Sequence, residues 1–266
     1  MIRPRLALLN PATLAQRCRR SHLPPSADLG SFIAAAWTLQ WDLEGHEPHT
    51  QRVISNPCVQ IVVDHAGAYL LGVVTGPYAV TLSGNGFVLG VRFRPGGFHP
   101  FWTGPVAKLT DRRLPLREVL PRVEEDELRR QALCANGNGI LSFLEEALRD
   151  AAAPVDPRAE LACAIAESIA DDATLLTVPQ VAQEFGVSPR TLQRLFRTYV
   201  GVGPKWLLRR YRLQEAAARA EAGEMQNWSE LALCLGYFDQ AHLVNDFRRL
   251  IGLPPGEYLK SIGPNA

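Results

Sequence analysis

The stretch from Thr177 to Val200, TVPQVAQEFGVSPRTLQRLFRTYV, constrains this chain more than any other. Ser188 is a good N-cap residue and Pro189 suits a first helical position, so a helix begins there. At roughly 100° per residue, Arg190, Gln193, Arg194 and Arg197 share about one third of its circumference. Leu192, Leu195, Phe196 and Tyr199 fall on the opposite side and need a core to lie against. The segment before it, Val178 to Phe185, reads as a short helix with Val181, Ala182 and Phe185 on its apolar side, and Gly186 supplies the break of a helix-turn-helix. Arginine and glutamine can read guanine and adenine edges bidentately, and arginine also clamps phosphates. The alternative is an amphipathic hairpin whose basic face is simply solvated.

The chain beyond Val200 repeats the plan. Gly203-Pro204 opens a long helix from Lys205 to about Ala222, stopped by Gly223. A second unit runs from Trp228 to Leu235, turns at Gly236, and continues from the N-cap Asp239 to Leu250. Leu243, Phe247, Leu250 and Ile251 make its buried face; His242, Asn245 and Arg249 point the other way, with Arg248 alongside.

Ala232, Gly236, Tyr237, Asp239, His242, Phe247, Arg248, Gly252, Pro255 and Tyr258 stand at the spacings of the signature LAxxxGYxDxxHLxxxFRxxxGxxPxxY. Over roughly Thr174 to Leu259 the chain therefore resembles the DNA-binding domain of the AraC/XylS family of bacterial transcription regulators. The resemblance implies two recognition helices in consecutive major-groove segments of double-stranded DNA. The first would offer Arg190, Gln193 and Arg194 to base edges and Arg197 to phosphate; the second Gln240, His242 and Asn245, with Arg248 and Arg249 near the backbone. Two positions depart from the family. Ala241 replaces the usual serine, and Asn245-Asp246 stands where an arginine is common. An aspartate beside DNA is repulsive, so less base readout is expected from the second helix. His242 has a second reading, as a residue that caps or packs within its own hairpin.

The net charge of +1 conceals a split. Residues 1–172 hold 17 Lys and Arg against 19 Asp and Glu, whereas residues 173–266 hold 11 against 8, so the basic excess lies with the hairpins. Five cysteines without a C-x-x-C pair fit reduced thiols in a cytoplasm better than a disulfide framework. No run approaches the roughly 18 apolar residues of a membrane span, and MIRPRLALLNPATLAQRCRR lacks the h-region and cleavage site of a signal peptide.

Residues 1–30 are Arg- and Pro-rich, equally readable as a loose arm or a short helix. From Phe32, FIAAAWTLQWDL, RVISNPCVQIVVDH, AYLLGVVTG, YAVTLSG and FVLGVRFRPGG are short strand-like runs that suggest an antiparallel barrel or sandwich. Asp64-His65-Ala66-Gly67 and Ser83-Gly84-Asn85-Gly86 read as hairpin loops. After Arg117 the pattern turns helical: Leu141, Leu144 and Leu148 form a face that can pack on the barrel or on a second copy. Leu161, Ile165 and Ile169 come next, beyond a break at 153–157.

The family commonly carries a cupin-like barrel for effector binding and dimerisation, and the WTLQWDL and GVRFRPGG stretches resemble an uncharacterised domain fused to such regulators. The fold class expected is thus α+β. An N-terminal cupin-like antiparallel β-barrel with flanking helices (1–172) precedes an all-α domain of two helix-turn-helix motifs joined by a long helix (173–266). Trp37 and Trp41 share a strand face and could line an effector pocket or the core; Arg92 and Arg94 could hold an anionic effector or sit on an outer face. His46-Glu47-Pro48-His49 lacks the H-x-H…E spacing of metal cupins, so no metal, cofactor or catalytic residue is expected. The function expected is a cytoplasmic, homodimeric, effector-responsive transcription regulator, with no membrane partner. The alternatives are a constitutive dimeric DNA-binding protein and a cupin-type enzyme with a DNA-binding tail.

Overall fold

The computed structural model describes residues 17–222 and 227–262. The expected helix stop at Gly223 and residues 1–16 of the N-terminal arm lie outside the described residues. Within the arm, a strand that the sequence did not disclose, β1 (Cys18–Leu23), pairs antiparallel with β2 (Ile33–Leu43). The other strands are β3 (His49–Val53), β4 (Gln60–Asp64), β5 (Gly67–Leu71), β6 (Tyr78–Leu82), β7 (Gly84–Phe93) and the short β8 (Arg113–Pro115).

They form no closed barrel. One sheet has the order β1-β2-β7-β4-β5-β8, and β3 and β6 pair only with each other. The cupin-like barrel is therefore corrected to an open six-stranded antiparallel sheet with a two-stranded sheet beside it. The physical reason lies in how the apolar face is covered. Ile61, Val63, Leu70, Leu89, Val91 and Phe93 on one side of the large sheet pack under α1 (Glu125–Leu133) and α2 (Gly137–Ala151), through Leu128, Ile140, Leu141, Leu144 and Leu148. A sheet whose apolar face is sealed by helices need not curl upon itself. The Leu141, Leu144 and Leu148 face is thus used on the sheet rather than left for a second copy.

Asp64 to Gly67 is the expected hairpin, with Asp64 Oδ1 accepting from the amides of Ala66 and Gly67 at 2.8 and 3.1 Å. Ser83 to Gly86 is not. β6 and β7 belong to different sheets, so this segment is a corner between them.

The helical half is built on two further cores. α3 (Pro157–Asp171), α4 (Val178–Glu184) and α5 (Pro189–Leu195) bury Ile165, Ala166, Val181, Leu192, Leu195 and Phe196 together with Leu207 and Leu208 of α6 (Pro204–Glu221). The second half of α6 places Leu213, Ala216 and Ala217 in another cluster with α7 (Trp228–Cys234), α8 (Gln240–Ile251) and α9 (Pro255–Ile262), where Phe247 and Tyr258 are fully buried. α6 is shared between the two. Val73 enters the first cluster and Ile54 the second, so loops of the sheet region touch both units.

Candidate nucleic-acid interface

The first helix-turn-helix is fixed locally by its own side chains. Thr177 and Gln180 form a capping box at the start of α4, Gly186 turns with φ of 62°, and Ser188 Oγ accepts from the Thr191 amide at 3.1 Å. α5 continues into one wider turn, Phe196–Val200, which Gly201 ends at φ of 101°. With Leu192, Leu195, Phe196 and Tyr199 buried, Arg190, Gln193, Arg194 and Arg197 all stand exposed on the other side. None of the four is tied to another side chain among the described residues, so each is free to meet a ligand.

The second unit obeys the same rules. Asn227 caps α7, Gly236 turns with φ of 73°, and Asp239 Oδ1 accepts from the His242 amide at 2.7 Å. Gln240, His242, Asn245, Arg248 and Arg249 are exposed. Two of them are steered. Gln240 accepts from Ser229 Oγ at 2.8 Å, and the His242 ring meets the Tyr237 ring edge-on at 5.2 Å. Burial pushes the Tyr237 hydroxyl up to about 12, so that ring stays neutral beside the histidine.

Asp246 is not where its repulsion of DNA was expected. It is 2% exposed and turned toward α6, where Arg209 Nε donates to its Oδ2 at 2.8 Å and Arg209 Nη2 to its Oδ1. The outward face of α8 therefore carries no free carboxylate among the described residues. The run Arg209-Arg210-Tyr211-Arg212 was not singled out in the sequence, yet it is the junction of the molecule. Arg209 holds α8. Arg210 donates to Ser55 O at 2.7 Å, and Arg212 to Leu176 O at 3.0 Å. Three basic residues at the centre of an otherwise Ala- and Leu-rich helix were the available signal.

The four residues considered for an effector occupy different settings. Trp37 and Trp41 share a sheet face, over Gly90 and Gly86 of β7; a Cβ at either glycine would lie 2.4 or 2.2 Å from the ring. Trp41 is 8% exposed, packs with Leu43 and Leu82, and donates from Nε1 to Ser83 O at 3.2 Å. Trp37 is half-buried, with Nε1 sequestered from water and unpaired. Arg92 is on the same face as Trp37. Arg94 goes elsewhere: past the end of β7 it pairs with Glu167 of α3, which raises its affinity for a proton. The His46, Glu47 and His49 segment forms no metal-holding group, nor does any other set among the described residues. Cys58 and Cys163 are pushed up to about 12 and about 11, in each case chiefly by burial.

Two capped helix-turn-helix units on a shared helix, each with a basic outward face, define a tandem DNA-binding module behind an α+β domain. Residues 181–261 match the family described as Helix-turn-helix domain, and residues 21–115 the family described as Domain of unknown function (DUF6597). A Streptomyces lividans protein named as an AraC-like transcription regulator is 36% identical over 90 residues, 34% of this chain and 29% of the relative. The HTH-type transcriptional regulator GlxA of Rhizobium meliloti is 35% identical over 83 residues, 31% of this chain and 25% of the relative. The match thus spans less than a third of the length of these relatives. ToxT from Vibrio cholerae overlays 93% of this chain and 100% of its own at 11% identity, with a TM-score of 0.40, too low to establish a common arrangement. Over its C-terminal third, the chain is similar to AraC-like transcription regulators.

Proposed function

We propose that this protein is a sequence-specific, double-stranded-DNA-binding transcription regulator rather than an enzyme, acting in the cytoplasm as a homodimer under the control of a small-molecule effector. The observation that carries the DNA reading is the pair of outward faces. Arg190, Gln193 and Arg194 on α5, and Gln240, His242 and Asn245 on α8, are exposed on helices whose opposite sides are buried. Arg197, Arg248 and Arg249 flank them as phosphate contacts. Labour is divided between residues 1–172, which sense and dimerise, and residues 173–266, which bind DNA. α3 connects the two, because its apolar side joins the core of the first helix-turn-helix. Trp37 and Arg92 line the effector site, while Trp41 and Arg94 are held by their own partners.

Coupling between the halves rests on contacts that reach each recognition unit. Thr110 Oγ1 donates to Gly201 O at 2.7 Å, behind the first recognition helix. Pro77 lies against Gly252, behind the second. An effector that alters the sheet region would shift the population of DNA-competent molecules through them. The test is selection of genomic fragments by the purified full chain, then a salt titration on the enriched site. One enriched motif spanning two consecutive major-groove segments supports the reading. Salt-sensitive binding without sequence preference, with and without cell extract as an effector source, refutes it.

A further inference from the structure

Arg210 is 2% exposed, and its three guanidinium nitrogens meet only neutral acceptors: Ser55 O at 2.7 Å, Gln214 Oε1 at 2.6 Å and Asn56 Oδ1 at 3.5 Å. Arg92 comes from β7 toward the same region, and its Nη1 is sequestered from water with no partner at all. Arg20 of β1 is close enough to Arg92 to feel its charge. No carboxylate pairs with any of the three among the described residues. Arg94, Arg149, Arg158 and Arg209, by contrast, each have an acid. Arg92 thus lies in electrostatic range of both Arg20 and Arg210, and burying guanidiniums without a counter-charge is costly.

The surroundings are donors and apolar surface. Antiparallel register places Ala35 opposite Arg92 and Trp37 opposite Gly90, so the Trp37 ring and Arg92 are neighbours on one face, and the unpaired Trp37 Nε1 adds a donor. Leu39 and Val88, paired with each other on that face and half-buried, continue it as apolar lining. Cys58 contributes no negative charge, since burial outweighs both arginines and keeps the thiol protonated. Burial likewise lowers Arg210, with the Arg92 charge adding to the effect.

We propose that Arg92, Arg210 and Arg20, with Trp37 Nε1, form a binding site for the carboxylate of a small organic acid, whose apolar body lies on Trp37, Leu39 and Val88. This rests on the effector-responsive reading of the regulator and names the ligand class. It also explains how such a ligand would be felt at DNA. Arg92 belongs to the sheet and Arg210 to α6, the helix shared by both recognition units, so one anion bridges the two halves.

The test uses the full chain without DNA. Thermal unfolding is measured in a series of monocarboxylates from acetate to decanoate, plus benzoate, and in inorganic phosphate, all against chloride at matched ionic strength. At ten times its dissociation constant, a binding acid should raise Tm by on the order of 3 °C. Arg92→Met should abolish that rise and, by removing an unpaired cation, raise the acid-free Tm; Arg129→Met, on an exposed face of α1, should change neither. Equal responses in wild type and Arg92→Met, no response to any carboxylate, or a response to phosphate alone would overturn the proposal. The two readings fail separately. A wild type that selects a DNA motif but binds no acid loses this site and keeps the regulator; one that binds acid and selects no DNA does the reverse.

Discussion

Arg209 on the joining helix grips Asp246 on the second recognition helix from behind, Nε to Oδ2 at 2.8 Å, and Asp246 is thereby withdrawn from the DNA-facing surface. The pair has one buried partner and one that is a third exposed, so removing the arginine strands a buried charge while water offers partial relief. Arg209→Ala should cost about 2–3 kcal/mol of stability, discounted from the 3–5 of a fully buried pair, and is measured by urea unfolding. Asp246→Asn should leave DNA affinity per folded molecule within about threefold of wild type. A large gain in affinity on losing this carboxylate would mean that it faces DNA after all.

Arg194 and Arg197 stand on one exposed face but are expected to act differently. Arg194→Ala should cost about 1–3 kcal/mol on the selected site and relax its base preference. Arg197→Ala should weaken binding to all sequences alike and reduce the salt slope by about 1. Fluorescence titrations on cognate and scrambled duplexes at several salt concentrations separate the two. Identical effects of both substitutions on both duplexes would leave the base-reading assignment without support.

The helical half was legible in the sequence because its information is local. Ser188, Asp239, Gly186 and Gly236 act on residues within one turn of themselves, and the period of Leu192, Leu195, Phe196 and Tyr199 reports its own burial. The sheet was less legible because pairing is non-local. Nothing near Ser83 to Gly86 says that β6 turns away to β3 while β7 enters the large sheet. Closure into a barrel depends on whether helices far along the chain cover the sheet, and α1 and α2 do. One non-local signal was present: Gly86 and Gly90 have the same four-residue spacing as Trp41 and Trp37, in reverse order, as an antiparallel pair of rings over glycines requires. The roles of Arg209, Arg210 and Arg212 were hidden for the same reason, since each partner lies on a different distant segment.

That glycine pairing can be tested by itself. Gly90→Val would place its Cβ where the Trp37 ring lies, and the ring must leave the sheet face. Such overpacking costs about 1–3 kcal/mol, and the displaced Trp37 should show red-shifted fluorescence. Substituting Gly76, which has open space around its Cα, should do neither. Unchanged stability and emission in Gly90→Val would remove Trp37 from the face assigned to it.

Acid should loosen the joint between α3 and the first recognition unit. Arg158, the Tyr199 hydroxyl at 2.7 Å and the Arg158 amide hold the Asp156 carboxyl far below its ordinary range. A folded value below the unfolded one of about 3.9 means stability that is fully present above that pH and is lost as pH falls toward the folded value. Asp156→Asn keeps a side-chain cap for α3 but removes the charge. The Tm difference between wild type and Asp156→Asn should therefore stay constant from about pH 8 to 5 and shrink below about 4. A difference as large at pH 3 as at pH 7 would show that charge is not what binds Tyr199 to Asp156.

The contact behind the first recognition helix makes the last prediction. Gly201 sits at φ of 101°, and a Cβ there would come within 3.2 to 3.4 Å of Val106, Thr110 and Val73. Gly201→Ala therefore combines left-handed backbone strain of about 1–2 kcal/mol with pressure on the sheet-side loop. Thr110→Val keeps the shape but removes the donor to Gly201 O, a loss of about 1 kcal/mol. Because both changes act on one contact, the double variant should fall short of the sum of the singles. If the contact also transmits the state of the sheet region, either substitution should lessen the change in operator affinity that an effector produces, while leaving the effector-free base preference set by Arg194 unchanged. Additive stabilities together with an undiminished effector response would mean that the loop merely touches the helix and carries no signal to it.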